Sequence, residues 1–242
     1  MTTAVVLFSG GQDSTTCLYW ARTMFDRVLA LTVYYGQRHR SEVDAALEIA
    51  ELAGVEHDVV ELPEYGALVG RSSSLIDAAV AQVEQPDLAS SGGMVDAAMP
   101  EGLPTTFVPG RNALLLTLAA AYGTSRGTRD VVTGVCQTDY SGYPDCRSEF
   151  VEGMAVALSL ALPSSMRPVR IHTPLMNMTK AETVRLAERL PGCWTALAHS
   201  VTCYRGERPG CNECPACILR ARGFAEAGEL DPARRIEPGR VA

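Results

Sequence analysis

Residues 4–18 read AVVLFSGGQDSTTCL, and the first five constrain the fold more than any other stretch. AVVLF carries no polar residue at either alternate position, so a strand built from it needs apolar cover on both faces. A parallel sheet with helices above and below supplies that cover; a sheet with one wet face does not. Gly10 and Gly11 follow at once. They are poor strand and poor helix, and they suit a sharp turn that approaches a ligand closely. STTCLYWARTMF (14–25) then reads as a helix, capped by Asp13 or Ser14.

The pattern repeats. VLALTVYY (28–35) is a second strand and VEHDVVEL (55–62) a third. Between them SEVDAALEIAELAG (41–54) reads as a helix with Ser41 as cap, Asp44 three residues on and Gly54 as stop. From about 63 to 106 periodicity weakens, and RSSS and QPDLASSGG mark a surface insertion or a lid. Order returns with a helix over 112–125, a strand at DVVTGV (130–135), a helix over 148–161, a strand at VRIHTP (169–174) and a helix over 179–190. The expected class is α/β: a doubly wound parallel sheet, Rossmann-like, over residues 1–192 with the insertion inside it. A C-terminal cysteine-bearing region and tail fill 193–242.

Hydrophobic content of 47% and charged content of 20% fit a globular enzyme. The longest apolar run, Ala113–Tyr122, falls short of the ~20 residues that span a bilayer. No basic segment precedes AVVLF, so the expectation is a cytoplasmic protein without a signal peptide or a membrane partner. A net charge of −7 argues against a nucleic-acid surface. Lys180 is the one lysine. It stands at the N-terminal end of a helix, against the dipole, which favours a phosphate partner.

The string Ser9-Gly10-Gly11-Gln12-Asp13-Ser14 lies between strand and helix, where doubly wound sheets bind ligands. Backbone N–H groups and the hydroxyls of Ser9, Ser14, Thr15 and Thr16 make an anion cradle. The Walker pattern is absent. Cys17 and Cys136 read as small buried apolar residues rather than nucleophiles.

Four of the eight cysteines crowd into one stretch, Cys203-x7-Cys211-x2-Cys214-x2-Cys217. Four thiolates close a tetrahedral shell, which favours structural zinc; an iron–sulfur cluster uses the same ligands. Arg205, Arg208, Arg220 and Arg222 are expected to balance the thiolate charge.

The Ser9–Ser14 loop resembles the pyrophosphatase loop of ATP-dependent adenylating enzymes. With YGQRH, FVPGRN, DYSGYPDCR and CNECPAC, in that order, the chain resembles the 7-cyano-7-deazaguanine synthase family from about residue 4 to residue 224. The resemblance implies an adenine nucleotide alpha-hydrolase type of fold. It also implies conversion of 7-carboxy-7-deazaguanine, ammonia and ATP to the nitrile through an adenylated carboxylate and an adenylated amide. ATP is then expected on Phe8, Ser9, Gly10, Gly11, Gln12, Asp13, Ser14, Thr15, Thr16, Cys17 and Leu18. Asp13 would hold Mg2+, and Arg111 and Lys180 would clamp charged groups, with Asn112 as a helix cap. Gln37, Arg38, His39, Asp139, Tyr143, Asp145 and Arg147 are the expected substrate residues, with Tyr34 and Tyr35 as stacking surfaces. Cys203, Cys211, Cys214 and Cys217 would bind Zn2+. A homodimer is expected, with ILRARGFAEAGEL (218–230) and the tail DPARRIEPGRVA contributing contacts. The alternatives are a related deazaguanine amide ligase and a tRNA-thiolating enzyme with the same loop.

Overall fold

Five strands form one sheet in the order β3-β2-β1-β4-β5: β1 (Thr3–Leu7), β2 (Arg27–Tyr34), β3 (Glu56–Glu61), β4 (Asp130–Val132) and β5 (Arg170–His172). Every pairing is parallel. The computed structural model describes residues 1–69, 73–77, 105–137 and 143–234. Eight α-helices connect and cover the described strands: α1 (Gln12–Met24), α2 (Ser41–Ala53), α3 (Pro63–Val69), α4 (Arg111–Ser125), α5 (Ser148–Ala161), α6 (Lys180–Arg189), α7 (Cys193–Leu197) and α8 (Pro215–Ala227). The doubly wound class read from the sequence is the one observed.

The apolar run of β1 divides between two cores, because successive side chains point to opposite faces. Ala4, Val6 and Phe8 pack with Ile49 of α2, Val184 of α6, Leu197 of α7 and Phe224 of α8. Val5 and Leu7 pack with Leu116 of α4 and Leu158 of α5. The covering helices thus include α7 and α8 from the cysteine-bearing end of the chain.

Strands β4 and β5 are shorter than expected. Thr133 N–H still donates to the His172 carbonyl at 3.0 Å, but the chain then leaves the sheet. At Gly134 the cause is visible: a Cβ there would lie 3.3 Å from the Asp13 carbonyl carbon, so β4 yields to the first turn of α1.

The caps also differ. Gly11, in an extended conformation, caps α1, while Asp13 and Ser14 lie within its first turn. Ser41 is already helical in α2, so its hydroxyl cannot cap, and Asp44 completes no box. Gly54 does end that helix, with φ 63°. Asn112 lies inside α4 behind Gly110; its amide donates to the Asp145 carbonyl at 3.2 Å and to Cys146 Sγ at 3.4 Å. The insertion opens with helix α3 rather than an irregular loop. Its Gly66 lies so close to β2 that a Cβ would stand 2.1 Å from the Tyr35 carbonyl oxygen. The rest of the insertion at 70–72 and 78–104, and the tail from 235, lie outside the described residues.

Candidate active site and candidate metal centre

Strand order reverses between β1 and β4, both followed by helices on opposite faces. Ligands of doubly wound sheets bind outside the strand carboxyl ends at such a point. A cavity of about 390 Å³ opens there, within the size of small-ligand sites. Its lining comes from the Ser9–Ser14 loop, the ends of β2 and β4, and the starts of α2, α4 and α6. Residues 201–204 and α8 close it.

The loop is held by its own hydroxyls and by the distant end of the chain. Ser9 N–H donates to Ser14 Oγ at 3.2 Å, Ser14 Oγ donates to the Gly11 carbonyl at 3.2 Å, and Gly11 N–H donates to Ser9 Oγ at 3.3 Å. Gly10 has φ 78°. A Cβ there would meet the Glu42 carbonyl oxygen at 2.4 Å, so only glycine fits between the loop and α2. The Gly10 carbonyl accepts from Val201 N–H at 3.0 Å.

Asp13 faces the cavity. Its Oδ2 accepts from Lys180 Nζ at 2.6 Å, whereas its buried Oδ1 has no protein partner. Gln12 Nε2 and Thr15 Oγ1 are also buried and unpartnered. Unpaired buried polar atoms are costly, so their concentration along one loop points to a polar ligand. Thr16, Cys17 and Leu18 turn inward. Thr16 Oγ1 donates to the Gln12 carbonyl at 3.0 Å, which uses up the donor expected for phosphate. Leu18 is core. Cys17 is fully buried, and that burial raises its thiol pKa well above the usual range, as expected of an inert cysteine.

Arg111 occupies the opposite wall. Burial opposes its charge, but Tyr35, Tyr143 and Asp145 outweigh that and keep the guanidinium protonated. Its Nη1 donates to Tyr35 Oη at 3.4 Å, and its guanidinium carbon lies 5.8 Å from the Tyr143 ring centre. Tyr143 hydrogen-bonds Thr106, and burial raises the pKa of its phenol.

The expected substrate residues separate into two groups. Gln37, Arg38, His39 and Tyr143 line the cavity. Gln37 Oε1 also accepts from Tyr35 N–H at 2.8 Å, which fixes the turn after β2. Asp145 and Arg147 do not line it. Asp145 is 7% exposed and accepts from Asn112 N–H at 3.4 Å; burial raises its carboxyl pKa, and its Oδ1 is unpartnered. Arg147 Nη1 donates to the Gln137 carbonyl at 2.8 Å. Asp139 lies outside the described residues. Glu42 and Tyr204 line the cavity without having been expected. Glu42 was masked by its place in a helix first turn, where an acidic residue is ordinary dipole chemistry.

The four clustered cysteines converge. Their sulfurs all lie within 4.8 Å of one another, and Cys211 Sγ is 3.9 Å from Cys217 Sγ. A tetrahedral zinc with bonds of about 2.3 Å sets its sulfurs about 3.8 Å apart, so the thiol set fits such an ion. Backbone N–H groups of Glu213 and Cys214 donate to Cys211 Sγ at 3.4 and 3.2 Å, which holds that sulfur in place. Cys214 caps α8 just ahead of Pro215. The neighbouring arginines do not surround the sulfurs. Arg205 pairs with Glu213, Arg208 with Glu48, Arg222 with Glu226, and Arg220 is buried against Asp231. Each guanidinium found a carboxylate, a better partner than a diffuse thiolate cluster.

Among the described residues no helix is long and apolar enough to cross a membrane. Residues 3–228 match the family model described as "Queuosine biosynthesis protein QueC". A protein of Laribacter hongkongensis named 7-cyano-7-deazaguanine synthase is 50% identical over 229 residues, covering 95% of this chain and 93% of the relative. Its namesake in Chromobacterium violaceum is 52% identical over 231 residues, covering 95% and 92%. That of Gloeobacter violaceus is 47% identical over 236 residues, covering 96% and 95%. A chain from Methanocaldococcus jannaschii described as a "predicted subunit of tRNA methyltransferase" superposes with a TM-score of 0.47 at 16% identity, covering 78% of this chain and 75% of that one. With the family model matched over residues 3–228 and relatives 50% and 52% identical over 95% of the chain, the protein belongs to the QueC family of queuosine biosynthesis.

Proposed function

We propose that the cavity converts 7-carboxy-7-deazaguanine, ammonia and ATP into 7-cyano-7-deazaguanine, releasing AMP and pyrophosphate at each of two adenylations. The observation that carries this reading is the Ser9–Ser14 loop at the switch point, with the Asp13–Lys180 pair beside unpartnered Asp13 Oδ1 and Gln12 Nε2.

A carboxylate resists ammonia because its carbonyl carbon already carries excess charge. Transfer of AMP to its oxygen makes a good leaving group and frees pyrophosphate. Backbone N–H groups of the loop and the N-terminus of α1 suit the triphosphate, and Lys180 suits the charge that develops as pyrophosphate departs. Asp13 would hold Mg2+, a hard cation that offsets the repulsion between this carboxylate and the phosphates. Displacement by ammonia leaves an amide. Adenylation of the amide oxygen, followed by loss of AMP, leaves the nitrile, so one loop serves both rounds.

On the other wall, Arg111 suits the substrate carboxylate, and Gln37, Arg38, His39 and Tyr143 suit the heterocycle and its donors. Asp139 belongs to the same proposed substrate set, and Asp145 and Arg147 support it from behind the cavity wall, Asp145 through Asn112. Cys203, Cys211, Cys214 and Cys217 would hold Zn2+ as a closed structural site that stabilises the start of α8. The chain is a cytoplasmic homodimer in this reading, paired partly through its C-terminal region. Metal analysis should find one zinc per chain, and light scattering a particle twice the 25.9 kDa of the monomer.

Mass analysis of the product formed from purified protein, ATP, ammonium and 7-carboxy-7-deazaguanine tests the reaction. The nitrile with AMP is the expected outcome. An amide that never proceeds to the nitrile would replace this reading with that of an amide ligase.

A further inference from the structure

Ammonia has three N–H bonds and a nitrile nitrogen has none. In the reaction proposed above, three protons must therefore leave one nitrogen within the cavity. One departs after ammonia attacks the acyl adenylate, one as the amide oxygen takes AMP, and one as AMP is eliminated. A group close to that nitrogen has to accept them.

The described lining of the cavity contains two carboxylates, Asp13 and Glu42. Asp13 is ion-paired with Lys180 at 2.6 Å, so its Oδ2 is already engaged by a cation. Among the other titratable groups, burial keeps the phenols of Tyr143 and Tyr204 protonated. Cys136 Sγ donates to the Met178 carbonyl at 3.2 Å, and Cys146 Sγ accepts from Asn112. His39 packs against Gly206, where a Cβ would stand 2.7 Å from its Cβ and Cγ.

Glu42 differs from all of them. It lies in the first turn of α2, and its backbone is fixed against Gly10 of the phosphate loop. Among the described residues its carboxylate has no hydrogen bond and no ion pair. The groups around it on the cavity wall are Arg111 from α4, Tyr204 from the C-terminal segment, Arg38 and His39 from the loop before α2, and the Asp13–Lys180 pair across α1 and α6. Arg111 acts on it electrostatically and favours its charged form. Its lone pairs are thus unoccupied and turned toward the same space as the carboxylate clamp and the phosphate loop.

We infer that Glu42 is the general base that takes the protons from the ammonia-derived nitrogen. In the first round the nitrogen lone pair forms the C–N bond and the carbonyl pair moves to oxygen. Glu42 carboxylate accepts a proton from the resulting ammonium centre. The oxygen pair then returns and expels AMP with the C–O bonding pair, leaving the amide and a neutral Glu42 that passes its proton to water. In the second round Glu42 accepts a proton as the amide oxygen bonds to the α-phosphorus and pyrophosphate leaves. It accepts the last one as the N–H pair becomes the third C–N bond and AMP departs. Burial pushes the Glu42 carboxyl up to about 7, where a base is both available and strong enough near neutral pH.

This inference rests on the proposed reaction, and its test separates the two. Exchange of labelled pyrophosphate into ATP, driven by 7-carboxy-7-deazaguanine without ammonia, moves no N–H proton. Glu42→Gln should retain that exchange, while single-turnover amide formation falls about 10²-fold or more. At constant free ammonia, wild-type amide formation should drop as pH falls through about 7, and that inflection should be missing in Glu42→Gln. Glu42→Asp, which keeps an acid one carbon further back, should retain an inflection at a reduced rate. Amide formation by Glu42→Gln at the wild-type rate would overturn the inference, as would loss of exchange in step with loss of amide. Absence of exchange in wild type would sink the reaction itself.

Discussion

Two ion pairs in this molecule look alike on paper and do opposite things. Arg220 and Asp231 meet through two parallel contacts of 2.7 and 2.8 Å, with side chains only 4% and 3% exposed. Every remaining donor is used: Ser200 Oγ, Thr202 Oγ1 and the Leu197 carbonyl take the rest of the guanidinium. Asp13 and Lys180 meet at 2.6 Å, yet one carboxylate oxygen has no partner and the pair borders the cavity. A satisfied pair locks α8 to the segment after it. A half-satisfied pair keeps capacity in reserve for a ligand.

The sharpest way to break this contrast is Asp13→Asn. Turnover should fall about 10³-fold, near 4 kcal/mol of transition-state stabilisation. Thermal stability should stay within about 2 °C, since Lys180 can turn to water in the cavity. A large loss of stability would make the pair structural after all. Arg220→Ala should do the reverse. It strands a buried carboxylate, which costs roughly 3–5 kcal/mol, or about 10 °C in Tm for a chain this long. A Tm within about 2 °C of wild type would show that Asp231 is not relying on it.

Glu42 sharpens the comparison from a third side, as a half-buried carboxyl with neither arrangement. Its folded form holds a proton up to about 7, while the unfolded chain releases it near about 4.3. Because the native state binds the extra proton, stability should fall as pH rises across that window and level off above it. Glu42→Gln should therefore raise Tm at pH 8 by about 3 °C and leave it unchanged near pH 4. A melting curve at pH 8 that is unchanged or lower in the variant would contradict the burial cost assigned to this group.

What was legible in the sequence is what lies close together along the chain. AVVLF announces a strand covered on both faces, Ser9–Ser14 announces an anion turn, and four cysteines within fifteen residues announce a metal shell. What escaped was decided across the fold. Lys180 reaches Asp13 over 167 positions, and nothing near either residue names the other. Glu42 reads as the ordinary acid of a helix start until Arg111 and the cavity stand opposite it. Proximity in the chain places these arginines beside the cysteines, but guanidinium geometry sends each to a carboxylate. Caps failed for a smaller reason: Ser41 falls one residue late, and a one-residue shift is enough to turn a cap into a first-turn side chain.

The bond from Val201 N–H to the Gly10 carbonyl has a consequence for the order in which the protein is made. The loop leaves the ribosome well ahead of its partner, which emerges roughly 10–40 s later at ordinary rates of synthesis. A nascent chain ending before Lys180 has the loop without its cation, and one ending before Val201 has the loop without its tether. The central strand of the sheet is thus translated before the other four, and the loop beside it is completed last. Unfinished chains carry the loop without the cation and the tether that complete it.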